Sequence, residues 1–112
     1  MSYKIEKVNE LIRQHLNEIF LKDLSLKAGV FITISRVDAS PDLRYARVLV
    51  SIFPEKETDY ALKTLRREMY QIQGALNKKL SMRPLPQVRF ELDATEAKAD
   101  EIEKLFQEIN KD

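Results

Sequence analysis

Leu62, Leu65, Met69, Ile72, Leu76 and Leu80 keep helical spacing for about five turns. This helix constrains the fold most, because the segments on either side of it have a different period. Before it, Tyr45–Phe53 alternates strictly: Ala46, Val48, Val50 and Ile52 point one way, and Tyr45, Arg47, Leu49, Ser51 and Phe53 the other. After it, Gln87–Leu92 places Val88, Phe90 and Leu92 on one face. A strand on each side of a long helix can join one sheet only through a crossover, and the helix supplies it.

The remaining segments complete that plan. Val30–Asp38 is rich in β-branched and aromatic residues and reads as a strand. Ser40-Pro41-Asp42-Leu43 reads as the turn joining it to Tyr45–Phe53, since Pro presets φ and Asp hydrogen-bonds its own backbone. At the N-terminus, Ile5, Val8, Leu11, Ile12, Leu16, Ile19 and Phe20 form the stripe of an amphipathic helix ending near Lys22–Gly29. Pro54–Glu57 breaks the second strand, and Thr58 is expected to cap the long helix. Pro84 and Pro86 end that helix, because proline has no N–H to continue it. Gly74 lies inside it and hints at a bend or a close approach, since glycine costs roughly 1 kcal/mol against alanine there. A last helix is expected beyond Asp93 or Thr95, with Ala97, Ile102, Leu105, Phe106 and Ile109 as its stripe. The order implies an α+β fold, a three-stranded sheet with helices banked on one face, within one domain over residues 1–112.

Composition narrows the chemistry. There is no cysteine, which excludes disulfides, thiolate metal sites and cysteine nucleophiles. The only histidine, His15, falls on the edge of the first helix's apolar stripe and reads as a packing or surface residue. The glycines Gly29 and Gly74 stand alone, so no phosphate-cradling loop is present. Neither metal-ligand spacing nor a nucleophile–base pair is found, so neither an enzyme nor a cofactor is expected. No apolar run reaches membrane-spanning length and the N-terminus lacks a signal peptide, which points to a soluble cytoplasmic protein.

The charge, by contrast, is unevenly placed. The chain carries a formal net charge of +1, yet Lys63–Arg89 holds seven cations against the single acid Glu68. From Glu91 to Asp112 the balance reverses, with eight acids against three lysines. Lys63, Arg66, Arg67, Lys78 and Lys79 fall off the apolar stripe of the long helix, so they can stand in solvent together. Several cations on one rigid surface are what a polyanion requires. Lys63, Arg66, Arg67, Lys78, Lys79, Arg83 and Arg44 are therefore the candidate phosphate contacts, and Arg36 and Arg47 would widen the surface if they share its side. Tyr45 and Phe53 would suit base stacking if exposed, but core or edge packing is the expectation. An alternative reading makes the acidic last helix, through Glu101, Glu103 and Glu108, the docking surface for a basic protein partner.

Three segments carry a resemblance. Ile32-Thr33-Ile34-Ser35-Arg36-Val37 followed by Ser40-Pro41-Asp42-Leu43-Arg44-Tyr45-Ala46-Arg47-Val48-Leu49-Val50-Ser51 resembles the hairpin of the ribosome-binding factor A family. Leu80-Ser81-Met82-Arg83-Pro84-Leu85-Pro86-Gln87-Val88-Arg89-Phe90 is similar to its second signature. Asp93-Ala94-Thr95-Glu96 with Ile102-Glu103-Lys104-Leu105 is similar to its closing helix. The resemblance implies a type II KH-like fold without the Gly-x-x-Gly loop of ordinary KH domains. It also implies a monomeric, non-catalytic assembly factor that binds the maturing small ribosomal subunit and its precursor rRNA, supports 5′-end processing, and matters most in the cold. Its kinked helices would form the docking face. The family's Ala-x-Gly kink motif falls on Glu68-Met69-Tyr70, which does not match it. That leaves two alternatives, a bend at Gly74 or a straighter helix. Lys22-Asp23-Leu24-Ser25-Leu26 stands where the family carries Asp-Pro-Arg.

Overall fold

A computed structural model describes residues 2–82 and 85–93. The elements run α1 (Ser2–Asp23), β1 (Phe31–Ala39), β2 (Tyr45–Phe53), a 3₁₀ turn (Glu55–Glu57), α2 (Thr58–Arg67), α3 (Met69–Lys79) and β3 (Gln87–Leu92). The sheet order is β1-β2-β3, antiparallel between β1 and β2 and parallel between β2 and β3. This is the expected α+β, type II KH-like arrangement. The expected C-terminal helix lies outside the described residues.

One face of the sheet carries the core. Ile12, Leu16 and Ile19 of α1, Val48 and Val50 of β2, Leu65 of α2, and Ile72 and Leu76 of α3 are fully buried there. Burying a side chain of this kind contributes roughly 1.5–3 kcal/mol. β2 sets the inward face by plain alternation, but β1 does not, because its register slips between Ile34 and Arg36. The bulge at Ser35 lets Ile34 and Val37 both turn inward although they are three residues apart. The Ser35 hydroxyl fills the gap by donating to the Leu49 carbonyl at 3.1 Å.

The hairpin turn is fixed from within. Asp42 Oδ1 accepts hydrogen bonds from the Ser40 hydroxyl at 2.6 Å and from the Arg44 N–H at 3.1 Å. Leu43 sits at φ 60°, a left-handed conformation that an L-residue adopts at a cost of about 1–2 kcal/mol. Its side chain is buried in the core, and that burial offsets the strain.

Polar side chains tie the helices to the sheet edges. Asn9 Oδ1 of α1 accepts the Ala39 N–H of β1 at 2.8 Å. On the other edge, Gln73 of α3 grips the start of β3. Its Nε2 donates to the Pro86 carbonyl at 3.0 Å, and its Oε1 accepts the Val88 N–H at 2.9 Å. Phe20 of α1 packs against Phe90 of β3 with ring centroids 5.6 Å apart and ring planes tilted by 49°.

The long helix departs from both sequence alternatives. It breaks at Glu68, whose backbone sits at φ −99°, ψ 10°, between helical and turn geometry. Gly74 lies within the unbroken α3 and has no neighbour within 4 Å of where a Cβ would stand. The bend therefore falls where the family's motif would place it, without that motif's residues. Helical hydrogen bonds reach the break from both sides, Glu68 N–H to Thr64 C=O and Ile72 N–H to Glu68 C=O, each at 3.0 Å. Just before it, the Thr64 hydroxyl donates back to the Tyr60 carbonyl at 2.9 Å, a bond that bends helices. Thr58 also differs from expectation, as the first residue of α2 rather than its cap. Its hydroxyl donates to the Glu55 carbonyl within the preceding 3₁₀ turn.

Candidate nucleic-acid interface

A groove of about 930 Å³ opens between the helix break and the outer ends of β2 and β3. Arg66 and Arg67 from the last turn of α2 overhang it, and Arg47 and Arg89 rise from the sheet opposite. Tyr70 and Tyr45 complete its walls, 90% and 56% exposed. An aromatic ring left so far in water, beside guanidinium groups, offers a flat apolar face with cations at its margin. That is the composition of a surface that accepts bases and phosphates.

The four arginines differ in how free they are. Arg47 is held by Glu91, with Nε at 3.0 Å and Nη2 at 2.7 Å from the same carboxylate oxygen. Those hydrogen bonds push its pKa further above the ordinary guanidinium value, so it stays charged. Arg67 approaches Glu68 at 3.7 Å, and Glu68 is itself buried with Oε2 lacking a hydrogen bond. Arg66 and Arg89 enter no ion pair among the described residues. They are the cations most available to an incoming phosphate.

The structure places the sequence-derived candidates in three settings. Arg66 and Arg67 line the groove, and Arg44 lines an adjoining hollow with Tyr45, Gln73 and Gln87. Lys63 and Lys78 are exposed on their helices but line neither. Lys79 turns to α1 and pairs with Glu18 at 3.3 Å. Arg83 lies outside the described residues. Arg36 pairs with Asp38 at 2.9 Å on β1, away from the groove lining. Tyr45 and Phe53, expected to pack, are both exposed. Tyr70 is not among the sequence-derived contacts, although its position offers a signal: it falls off the Leu62–Leu80 stripe, three residues after Arg67.

A helix–strand–strand–broken helix–strand domain with an arginine-lined groove at the break belongs to the class of KH-like domains. The comparisons narrow that class. The ribosome-binding factor A family profile matches residues 4–106. The ribosome-binding factor A of Opitutus terrae is 34% identical over 112 residues, covering 99% of this chain and 91% of the relative. That of Natranaerobius thermophilus is 32% identical over 106 residues, covering 94% and 81%. Among solved structures, the crystal structure of ribosome-binding factor A from Thermus thermophilus is 28% identical with a TM-score of 0.63, covering 79% of this chain and 94% of that one. A homology model of the Thermus thermophilus factor, fitted into a cryo-EM map of a 30S–factor complex, is 27% identical, TM-score 0.63, covering 76% and 90%. The chain belongs to the ribosome-binding factor A family.

Proposed function

We propose that this protein is a non-catalytic assembly factor that binds the maturing small ribosomal subunit by seating rRNA in the groove at the helix break. The observation that carries this reading is the convergence of Arg66, Arg67, Arg47 and Arg89 with two exposed tyrosines on one groove. A Thermus relative of the same fold is known in a complex with the 30S subunit, which supports the choice of partner. Structured RNA is met chiefly through its backbone and shape, so arginines on a rigid frame suit it. The protein acts as a cytoplasmic monomer in support of 5′-end processing and late subunit maturation, above all in the cold. The test is co-sedimentation with immature and mature small subunits over a salt series. Arg66→Glu with Arg89→Glu should weaken binding at least tenfold and flatten the salt dependence by about two contacts' worth of counterion release. Unchanged affinity and slope in a double variant that folds normally would refute the groove as the rRNA site.

A further inference from the structure

At the opposite end of β2 from Tyr45 lies a second concave surface of different character. Phe31 and Phe53 stand directly across from one another in the β1–β2 register and are 61% and 68% exposed. Leu92, 41% exposed, closes the same hollow of about 620 Å³. Single exposed apolar residues are ordinary, but three large ones gathered around one concavity mark a contact surface. The rim is acidic. Glu55, Asp59 and Asp93 line it, Glu55 and Asp59 enter no ion pair among the described residues, and Lys56 is the only cation among the described lining residues.

We infer that this groove docks a lysine- or arginine-rich protein segment that carries bulky apolar residues. Charge selects that occupant over the others. RNA phosphates would meet Glu55 and Asp59 with few cations to replace their counterions. Residues 94–112 of this chain carry six acids against three lysines, so an acidic rim repels them. A second copy would bring two like-charged rims together. A basic segment satisfies both features, seating its apolar side chains on Phe31, Phe53 and Leu92 and its cations on Glu55 and Asp59. The two grooves sit at opposite ends of one nine-residue strand, about 27 Å apart at ~3.3 Å per residue. One strand thus presents a cationic groove to RNA at one end and an acidic apolar groove to basic protein at the other.

The test uses the full chain and a fluorescein-labelled 12-residue peptide alternating lysine with leucine and phenylalanine, followed by fluorescence anisotropy. A matched peptide with glutamate for lysine is the control. The lysine peptide should bind, and Phe31→Ser with Phe53→Ser should weaken it about tenfold or more. Glu55→Gln with Asp59→Asn should weaken it severalfold and reduce its salt dependence, while Arg66→Ala with Arg89→Ala should leave it unchanged. The carboxylate pair is fully at the surface, so it decides the matter if the phenylalanine variant fails to fold. Binding that survives the carboxylate substitutions would place the peptide elsewhere, residues 94–112 included, and overturn the inference. Equal binding of the glutamate peptide, or no binding of either, overturns it as well. So does concentration-dependent dimerisation abolished by Phe31→Ser with Phe53→Ser, which would make a second copy the occupant.

Discussion

Replacing Gly74 by alanine tests that the long helix bends at Glu68 and not at Gly74. Gly74 sits mid-way through α3, its φ is not positive, and an added Cβ meets nothing within 4 Å. The substitution therefore introduces no clash and no backbone strain. It removes conformational freedom from the unfolded chain and improves helix propensity, together worth about 0.5–1 kcal/mol. For a domain of this size 1 kcal/mol shifts the midpoint by roughly 3–7 °C, so Gly74→Ala should raise Tm by about 1.5–7 °C. Circular dichroism at the helix band, followed through thermal and urea unfolding, measures it. The urea midpoint should rise without a change in slope. Small-subunit binding should be unaffected, because the groove is shaped by the break at Glu68. A fall in Tm would refute the reasoning, since it would mean that glycine's freedom is required at position 74.

Two further outcomes follow from single contacts. Gln73→Ala removes the acceptor for the Val88 N–H and the donor to the Pro86 carbonyl; leaving the part-buried N–H unpaired should destabilise the fold by about 1–3 kcal/mol, read as a lower urea midpoint. A loss below about 0.3 kcal/mol would mean that water replaces the amide. The Asp42 carboxyl is held below its ordinary pKa, first by the Ser40 hydroxyl and then by the Arg44 N–H. A depressed folded pKa adds stability above the unfolded value of roughly 4 and loses it as pH falls through the folded value. The Tm advantage of the parent over Asp42→Asn should thus be present at neutral pH and narrow under acid, and a gap independent of pH would refute the assignment.

Much of the frame is legible in the sequence because β2 and the helices obey simple periods. Ala46, Val48 and Val50 alternate as written, and Pro86 stands where β3 is about to begin. The features that shape the site are less visible. The bulge at Ser35 preserves the composition of a strand while changing which residues face inward, so only pairing to Leu49 and Val50 reveals it. The break at Glu68 leaves the apolar spacing intact, because one residue outside helical geometry redirects the axis without resetting the period. Gly74 drew attention because glycine weakens helices, yet a tolerated glycine is not a hinge. The cations were visible by type but not by partner. Lys79 is engaged by Glu18, 61 positions away, and no local pattern foretells that pair.

The break and the Gln73 contact together explain why the arginine groove exists. Gln73 anchors α3 to the start of β3, so the second half of the long helix has no freedom to move away from the sheet. The turn at Glu68 then lets α2 leave on a different line, and the space between is the groove that Arg66, Arg67 and Tyr70 overlook. Arg66 and Arg67 close α2 and Tyr70 opens α3 just past the turn, so all three line the space at the break. Tyr45 and Arg47 reach the same space because alternation on β2 turns them from the core. The proposed polyanion surface is thus assembled without a glycine-rich loop, from a bent helix pinned at one point and the outward register of two strands. Because the pin is a side-chain amide, Gln73→Ala should lower small-subunit affinity as well as stability. Gly74→Ala, one residue along, should change only the second.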